Sequence, residues 1–330
     1  MAARRAHAGT RVTNVRFGIQ GSGQLIGGAP DPGYFREVAE LAEELGYDSL
    51  WAGDHISFHN PILDVTVALA AFCAVTRRIA LGAGVVLLPL RHPSIVAKEF
   101  AYIDYLSGGR LILGVGVGGE GAKDFDAVGV SPRERGARTD EAMLALRELF
   151  RSGEASFVGR FFRFGGVSID PPPAQRGGPP LWVGGRADAA LRRAGRLADG
   201  WMPIWVSVQG FTRGLADVRR HARGDQRDPD AIEAAVVLPA LVGDDGERAR
   251  EEARRHLSVR YGQEFESHVI ERYALAGNPE ECAERVREYA AAGARHILFN
   301  PAVGTERLLE QCERLYVEVA APLRGAVAAE

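Results

Sequence analysis

The stretch Ile79–Val117, IALGAGVVLLPLRHPSIVAKEFAYIDYLSGGRLILGVGV, decides the fold. An apolar run, Ile79–Leu88, leads into a helical pattern from Ser94, and a second apolar run follows at Leu111–Val117. Strand, helix and strand at these lengths make a parallel βαβ unit, and continuous apolarity in both strands implies burial on both faces. The alternation extends in both directions. Upstream lie a strand at Val15–Gln20, a helix from Tyr34 that Gly46 stops, a strand at Ser49–His55 and a helix with Asp64 as its N-cap. In the first of these helices Phe35, Val38, Leu41, Ala42 and Leu45 share one face.

Downstream come a glycine-rich loop, the helix PRERGARTDEAMLALRELF, and strands at Leu181–Gly185, Gly200–Trp205, Glu233–Gly243 and His296–Asn300. A long charged helical region runs to about Tyr273, a further helix covers Asn278–Gly293, and a closing helix spans Leu308–Val319. Eight strands, each followed by helix, predict an α/β fold of the TIM type, an eight-stranded (β/α) barrel with insertions. The rhythm breaks once, at Phe157–Pro180, which reads as a β excursion with a Pro/Gly-rich return. The expected organisation is a disordered tail over residues 1–14 and a single barrel domain over 15–325, with the insertion at about 157–180.

The 330 residues carry 40 basic and 43 acidic side chains, a net charge of −3, without the basic excess of a nucleic-acid binder. No apolar run approaches the roughly 20 residues that span a bilayer, so no membrane is expected. Cys73, Cys282 and Cys312 lie far apart with no zinc spacing, so no metal site is expected and a reducing cytoplasm suits the chain.

Four segments carry chemistry. WAGDHISF puts Asp54 and His55 at the carboxyl end of the second strand, the face where barrel active sites form. There an acid beside an imidazole can move a proton near neutral pH, or serve as a helix cap beside a structural histidine. The glycines of the third strand and the Arg91-His92-Pro93 turn read either as close approach of a ligand or as barrel packing with a proline helix start. Gly114, Gly116, Gly118 and Gly119 with Glu120 make room for a flat ligand, with Glu120 on the rim. They do not read as a dinucleotide fingerprint, since no helix opens directly from them. Gly184-Gly185-Arg186 between strand and helix reads as a phosphate arrangement, with backbone N–H groups, a helix N-terminus and a cation together, or as a simple tight turn. His221, His256 and His268, and the charges Arg133, Arg135, Arg138, Asp140 and Glu141, read as surface groups.

AEELGYDSLWAGDH, the segment Thr76–Glu120 and PPLWVGGRADAALRRAGRLADGW, in this order and spacing, resemble the bacterial luciferase-like family of flavin and deazaflavin oxidoreductases. The resemblance implies a TIM barrel, a homodimer, a small-molecule substrate and a tricyclic cofactor at the carboxyl ends of the strands. The Asp-His pair looks most like the branch that uses the deazaflavin coenzyme F-420, with FMN as the alternative. By the same resemblance His55 sits over the reactive ring and Gly84–Val85 backs it through a cis peptide at a bulge. Gly184, Gly185, Arg186 and Ala187 then hold phosphate, and Glu120 matches an acidic proton donor, in a loop with one glycine more than the family pattern.

A deazaflavin implies hydride transfer without oxygen, whereas FMN implies a monooxygenase using reduced flavin and molecular oxygen. A flavin-binding protein without turnover is the third reading. Trp51, Phe58, Trp205 and the Phe157–Phe164 excursion are candidates to line the substrate pocket.

Overall fold

The structure, a computed structural model, describes residues 14–324 except 23–24, 29–30, 32, 59, 120–121 and 152. The tail expectation therefore lies outside the described residues apart from Asn14. The strands are β1 (Arg16–Ser22), β2 (Ser49–Ala52), β3 (Ala80–Leu87), β4 (Leu111–Gly116), β5 (Ala155–Val158), β6 (Arg163–Val167), β7 (Leu181–Gly184), β8 (Gly200–Met202), β9 (Glu233–Val242), β10 (Leu275–Gly277) and β11 (His296–Pro301). Eight of them close a parallel barrel in the order β1-β2-β3-β4-β7-β8-β9-β11 and back to β1. β5 and β6 form an antiparallel hairpin apart from it, so the excursion lies outside the barrel.

The intervening helices begin and end where local chemistry dictates. The Asp64 carboxylate accepts the Thr66 and Val67 N–H groups at the start of Val65–Val75, as its cap reading requires. Asn278 and Glu281 form a reciprocal capping box on Pro279–Ala291. Inside the barrel, Trp51, Ile112, Trp182, Met202, Ala235 and Leu298 form a buried cluster. Gly82 exists for that packing, since a Cβ there would lie 2.2 Å from the Trp51 ring. Below the indole, Trp51 Nε1 donates to Ser49 Oγ, which is 2.7 Å from His296 Nε2. Burial, with a smaller push from the Arg16 and Arg324 charges, lowers the His296 pKa to about 3, so the barrel interior holds this imidazole neutral.

Several expectations need correction. β2 stops at Ala52, so Asp54 and His55 stand on the loop beyond it. β8 stops at Met202, and Trp205 takes a left-handed backbone with φ of 56°. β10, unexpected, pairs with the end of β9 through Ala240–Val242. The glycine-rich loop after β4 gives way to a short helix, Ala122–Val128, where no helix was expected. Glu141 is no surface ion-pair residue: its carboxylate accepts the Arg160, Phe161 and Phe162 N–H groups and closes the hairpin turn.

Candidate active site

At the carboxyl ends of the barrel strands lies a cavity of about 290 Å³. The loop after β2 contributes Asp54 and His55, β3 contributes Gly84 and Val85, β4 contributes Gly116, and β7 with its turn contributes Gly184 and Gly185. Residues scattered over 130 positions of sequence thus meet because parallel barrel strands all end on one face. Gln20, Arg260, Tyr261 and Asn300 also line it. Glu120 lies outside the described residues.

His55 and Asp54 do not partner each other, which corrects the expected acid–imidazole pair. Asp54 is 4% exposed; one oxygen accepts the Leu87 N–H at 3.0 Å and the other accepts Arg91 at 2.8 Å. Arg91 bridges on to Asp64 at 2.7 Å. Burial opposes the Arg91 charge, yet Asp54 and Asp64 outweigh it and raise its pKa. Asp54 therefore fastens the end of β3 and the next helix to the loop that carries His55. The Arg91-His92-Pro93 turn proves structural in the same way, with Pro93 opening the helix Pro93–Ser107.

The carboxylate that serves His55 comes from Asp124, on the unexpected helix. His55 Nδ1 lies 2.7 Å from Asp124 Oδ2, while Asp124 Oδ1 accepts the Ile56 and Ser57 N–H groups at 2.8 Å each. The Asp124 side chain is 1% exposed, that of His55 13%. A carboxylate only accepts, so Nδ1 carries a proton, and in the neutral ring the lone pair is on Nε2. The Phe58 ring lies beside the imidazole, tilted by 31° with centroids 4.2 Å apart. Asp124 went unnoticed in the sequence because KDFDAV has no motif value alone; only the fold of the loop brings it under His55.

The turn after β7 is built for close approach. Gly185 has φ of 109°, a backbone that disfavours any side chain, and a Cβ at Gly184 would lie 3.0 Å from Val85. The helix Asp188–Leu197 follows with Ala187 at its cap position and no side-chain cap hydrogen bond, so no cap side chain satisfies its first N–H groups. Arg186 Nη1 donates to the Ile204 and Trp205 carbonyls at 3.3 and 2.8 Å, which ties this turn to the loop after β8. A cleft of about 280 Å³ beside the turn is lined by Arg186, Arg213 and Arg272. Across from the turn, the Gly84–Val85 peptide is cis and sits at the register shift of β3 against β4. Glycine backbone on three strands and an uncapped helix start suit a flat ring carrying an anionic group.

Trp51 belongs to the barrel interior, and Trp205 packs on Phe265 at 5.1 Å. Neither lines the cavity, nor does the 157–164 hairpin. His256 is not a lone surface group: its Nε2 accepts from Arg260 at 3.0 Å, while His268 does stand in solvent beside Glu266.

The profile of the luciferase-like monooxygenase family matches residues 12–296. The chain belongs to that family. Within it, the chain is 30% identical to an F-420-dependent glucose-6-phosphate dehydrogenase of Rhodococcus jostii (strain RHA1), covering 94% of this chain and 99% of that one. Among solved structures, a monooxygenase from Streptomyces bottropensis superposes with a TM-score of 0.80 at 26% identity, over 93% and 99% of the two chains. An F-420-dependent secondary alcohol dehydrogenase, in complex with an F-420-acetone adduct, gives 0.81 at 19% identity over 94% and 99% and shares the luciferase-like barrel. Among the described residues, no helix is long and apolar enough to cross a membrane.

Proposed function

We propose that this luciferase-like enzyme is an F-420-dependent oxidoreductase that moves hydride to or from the carbon of a small alcohol or its carbonyl partner. The carrying observation is His55, held by Asp124, lining one cavity with glycine backbone of β3, β4 and β7. The naming of the 30% identical relative as an F-420-dependent dehydrogenase supports the same cofactor. The residues fit such a group. Gly84, Val85 and Gly116 give a backbone platform, and Gly184, Gly185 and the N-terminus of Asp188–Leu197 suit its phosphate.

When bound, the deazaflavin supplies a two-electron hydride acceptor. The chain supplies proton management and positioning. In the oxidative direction the substrate C–H bond breaks with its electron pair leaving as hydride. His55 Nε2 takes the hydroxyl proton, and the C–O bond becomes C=O. Asp124 holds the resulting imidazolium through Nδ1, as the carboxylate of a hydrolase triad does. Asp54 acts through Arg91 and the backbone of β3 as a positioning residue.

In this reading residues 15–325 act as one catalytic domain in the cytoplasm. A homodimer is supported by exposed Val67, Ile95 and Leu106 on the neighbouring helices Val65–Val75 and Pro93–Ser107, and light scattering tests it. Glu120 is retained as a second proton donor on family resemblance alone. The second reading, an FMN monooxygenase, draws on the naming of the 26% identical Streptomyces protein as a monooxygenase. Anaerobic incubation with coenzyme F-420 and either glucose 6-phosphate or 2-propanol, followed by cofactor absorbance, separates them. Substrate-dependent bleaching without oxygen is expected. Turnover only with reduced FMN and oxygen would replace the first reading by the second.

A further inference from the structure

The part of the cavity wall formed by Arg260, Tyr261 and Asn300 carries a charge that the reaction as derived does not use. Of the described residues lining the cavity, Arg260 is the only lysine or arginine. It sits in the last turn of the helix Gly246–Tyr261 and is 7% exposed, at the helix end where the backbone dipole favours a cation. Its guanidinium is held in a fixed plane. Nη1 donates to Asn300 Oδ1 at 2.9 Å, and Nη2 donates to the Pro301 carbonyl and to His256 Nε2 at 3.0 Å. His256 stands one helical turn before Arg260. Burial, then the Arg260 charge, lowers its pKa to about 3, so it stays a neutral acceptor. Asn60, on the loop that carries His55, donates to the Val259 and Arg260 carbonyls at 3.4 and 3.3 Å. The proton-handling side and the cationic side of the cavity are thereby joined.

Much of the remaining wall is apolar, with Ile62, Leu87, Met202, Ile204 and Val237 among the lining residues. A planar cation fixed in such a wall recognises oxygen anions strongly, because the surroundings screen charge poorly and the guanidinium fork matches carboxylate and phosphate. We propose that Arg260 is the substrate-recognition residue of this cavity, and that the alcohol or carbonyl substrate carries a carboxylate or phosphate group. His256 and Asn300 are its positioning residues. The assignment deepens, and rests on, the hydride-transfer reading given above.

The test uses small probes that fit beside a bound cofactor. Acetate, inorganic phosphate and uncharged acetamide are titrated into F-420-loaded protein, and cofactor fluorescence and calorimetric heat are followed. Saturable binding of acetate or phosphate is expected, with none for acetamide; the stronger of the two anions tells carboxylate from phosphate. Arg260→Gln should weaken the anion on the order of 10–100-fold, with F-420 affinity unchanged, whereas Arg260→Lys should retain part of the anion affinity. Equal binding of acetamide, no saturable anion binding, or unchanged anion affinity in Arg260→Gln would each overturn the proposal. If Arg260→Gln fails to fold, the wild-type contrast and Arg260→Lys decide. Failure of F-420 itself to bind would instead remove the functional reading. The anion titrations are then run on the cofactor-free wild type and Arg260→Gln, where the same loss is required.

Discussion

The end of β2 and the end of β7 face one cavity but serve it by opposite means. At β7 the proposed cofactor contacts are backbone: Gly184, Gly185 and the first N–H groups of the following helix, contiguous in sequence. At β2 the proposed proton carrier is a side chain, His55, held by Asp124, 69 residues away. A binding site made of backbone needs only a local turn and is written in adjacent residues. A proton-transfer site needs an oriented tautomer, and orientation comes from a partner that the fold must deliver.

The largest expected effect comes from breaking the backbone side. Gly185→Asp forces a side chain onto a φ of 109°, with its Cβ 3.1 Å from Ala190, and sets a carboxylate at the helix start. Fluorescence titration should show no F-420 binding, while circular dichroism and melting show a folded barrel. Normal binding would put the phosphate elsewhere. On the side-chain side, His55→Ala should cut turnover by about 10²–10⁴-fold, flatten the pH–rate profile near neutrality and leave cofactor affinity unchanged. Lost stability with normal turnover in the folded fraction would make His55 structural.

Asp124→Asn sharpens the contrast further. An amide nitrogen facing His55 Nδ1 would donate to it and move the ring proton to Nε2, removing the base without removing the ring. A turnover loss smaller than that of His55→Ala is expected at neutral pH. An equal loss in cofactor affinity would count against the tautomer argument. The smallest effect is assigned to Arg186→Ala. Its guanidinium already bonds the Ile204 and Trp205 carbonyls, so removal should weaken cofactor binding by only ~1–2 kcal/mol, read by the same titration. A loss as large as that of Gly185→Asp would shift the anion site from backbone to side chain.

The barrel was legible in the sequence because each of its eight strands is a short apolar run with helix behind it, a pattern that local periodicity reports. β10 was not, since three residues between two helices carry no period. Gly184 and Gly185 stood out in the sequence because a strand, a glycine turn and a helix start are contiguous there. Asp54 was singled out beside His55 by adjacency, yet adjacent residues on an extended segment point apart, and Asp54 turned to Arg91. Asp124 and the Arg260–His256 pair were missed because charged residues on helices read as solvated faces until the tertiary fold turns them inward.

The central claim is that backbone at β7 holds a deazaflavin which His55 and Asp124 serve. Parallel fluorescence titrations of coenzyme F-420 and FMN into the wild-type protein test it most directly. Saturable F-420 binding, tighter than FMN and lost in Gly185→Asp, is the expected result. FMN binding at micromolar concentration with no F-420 binding would contradict it.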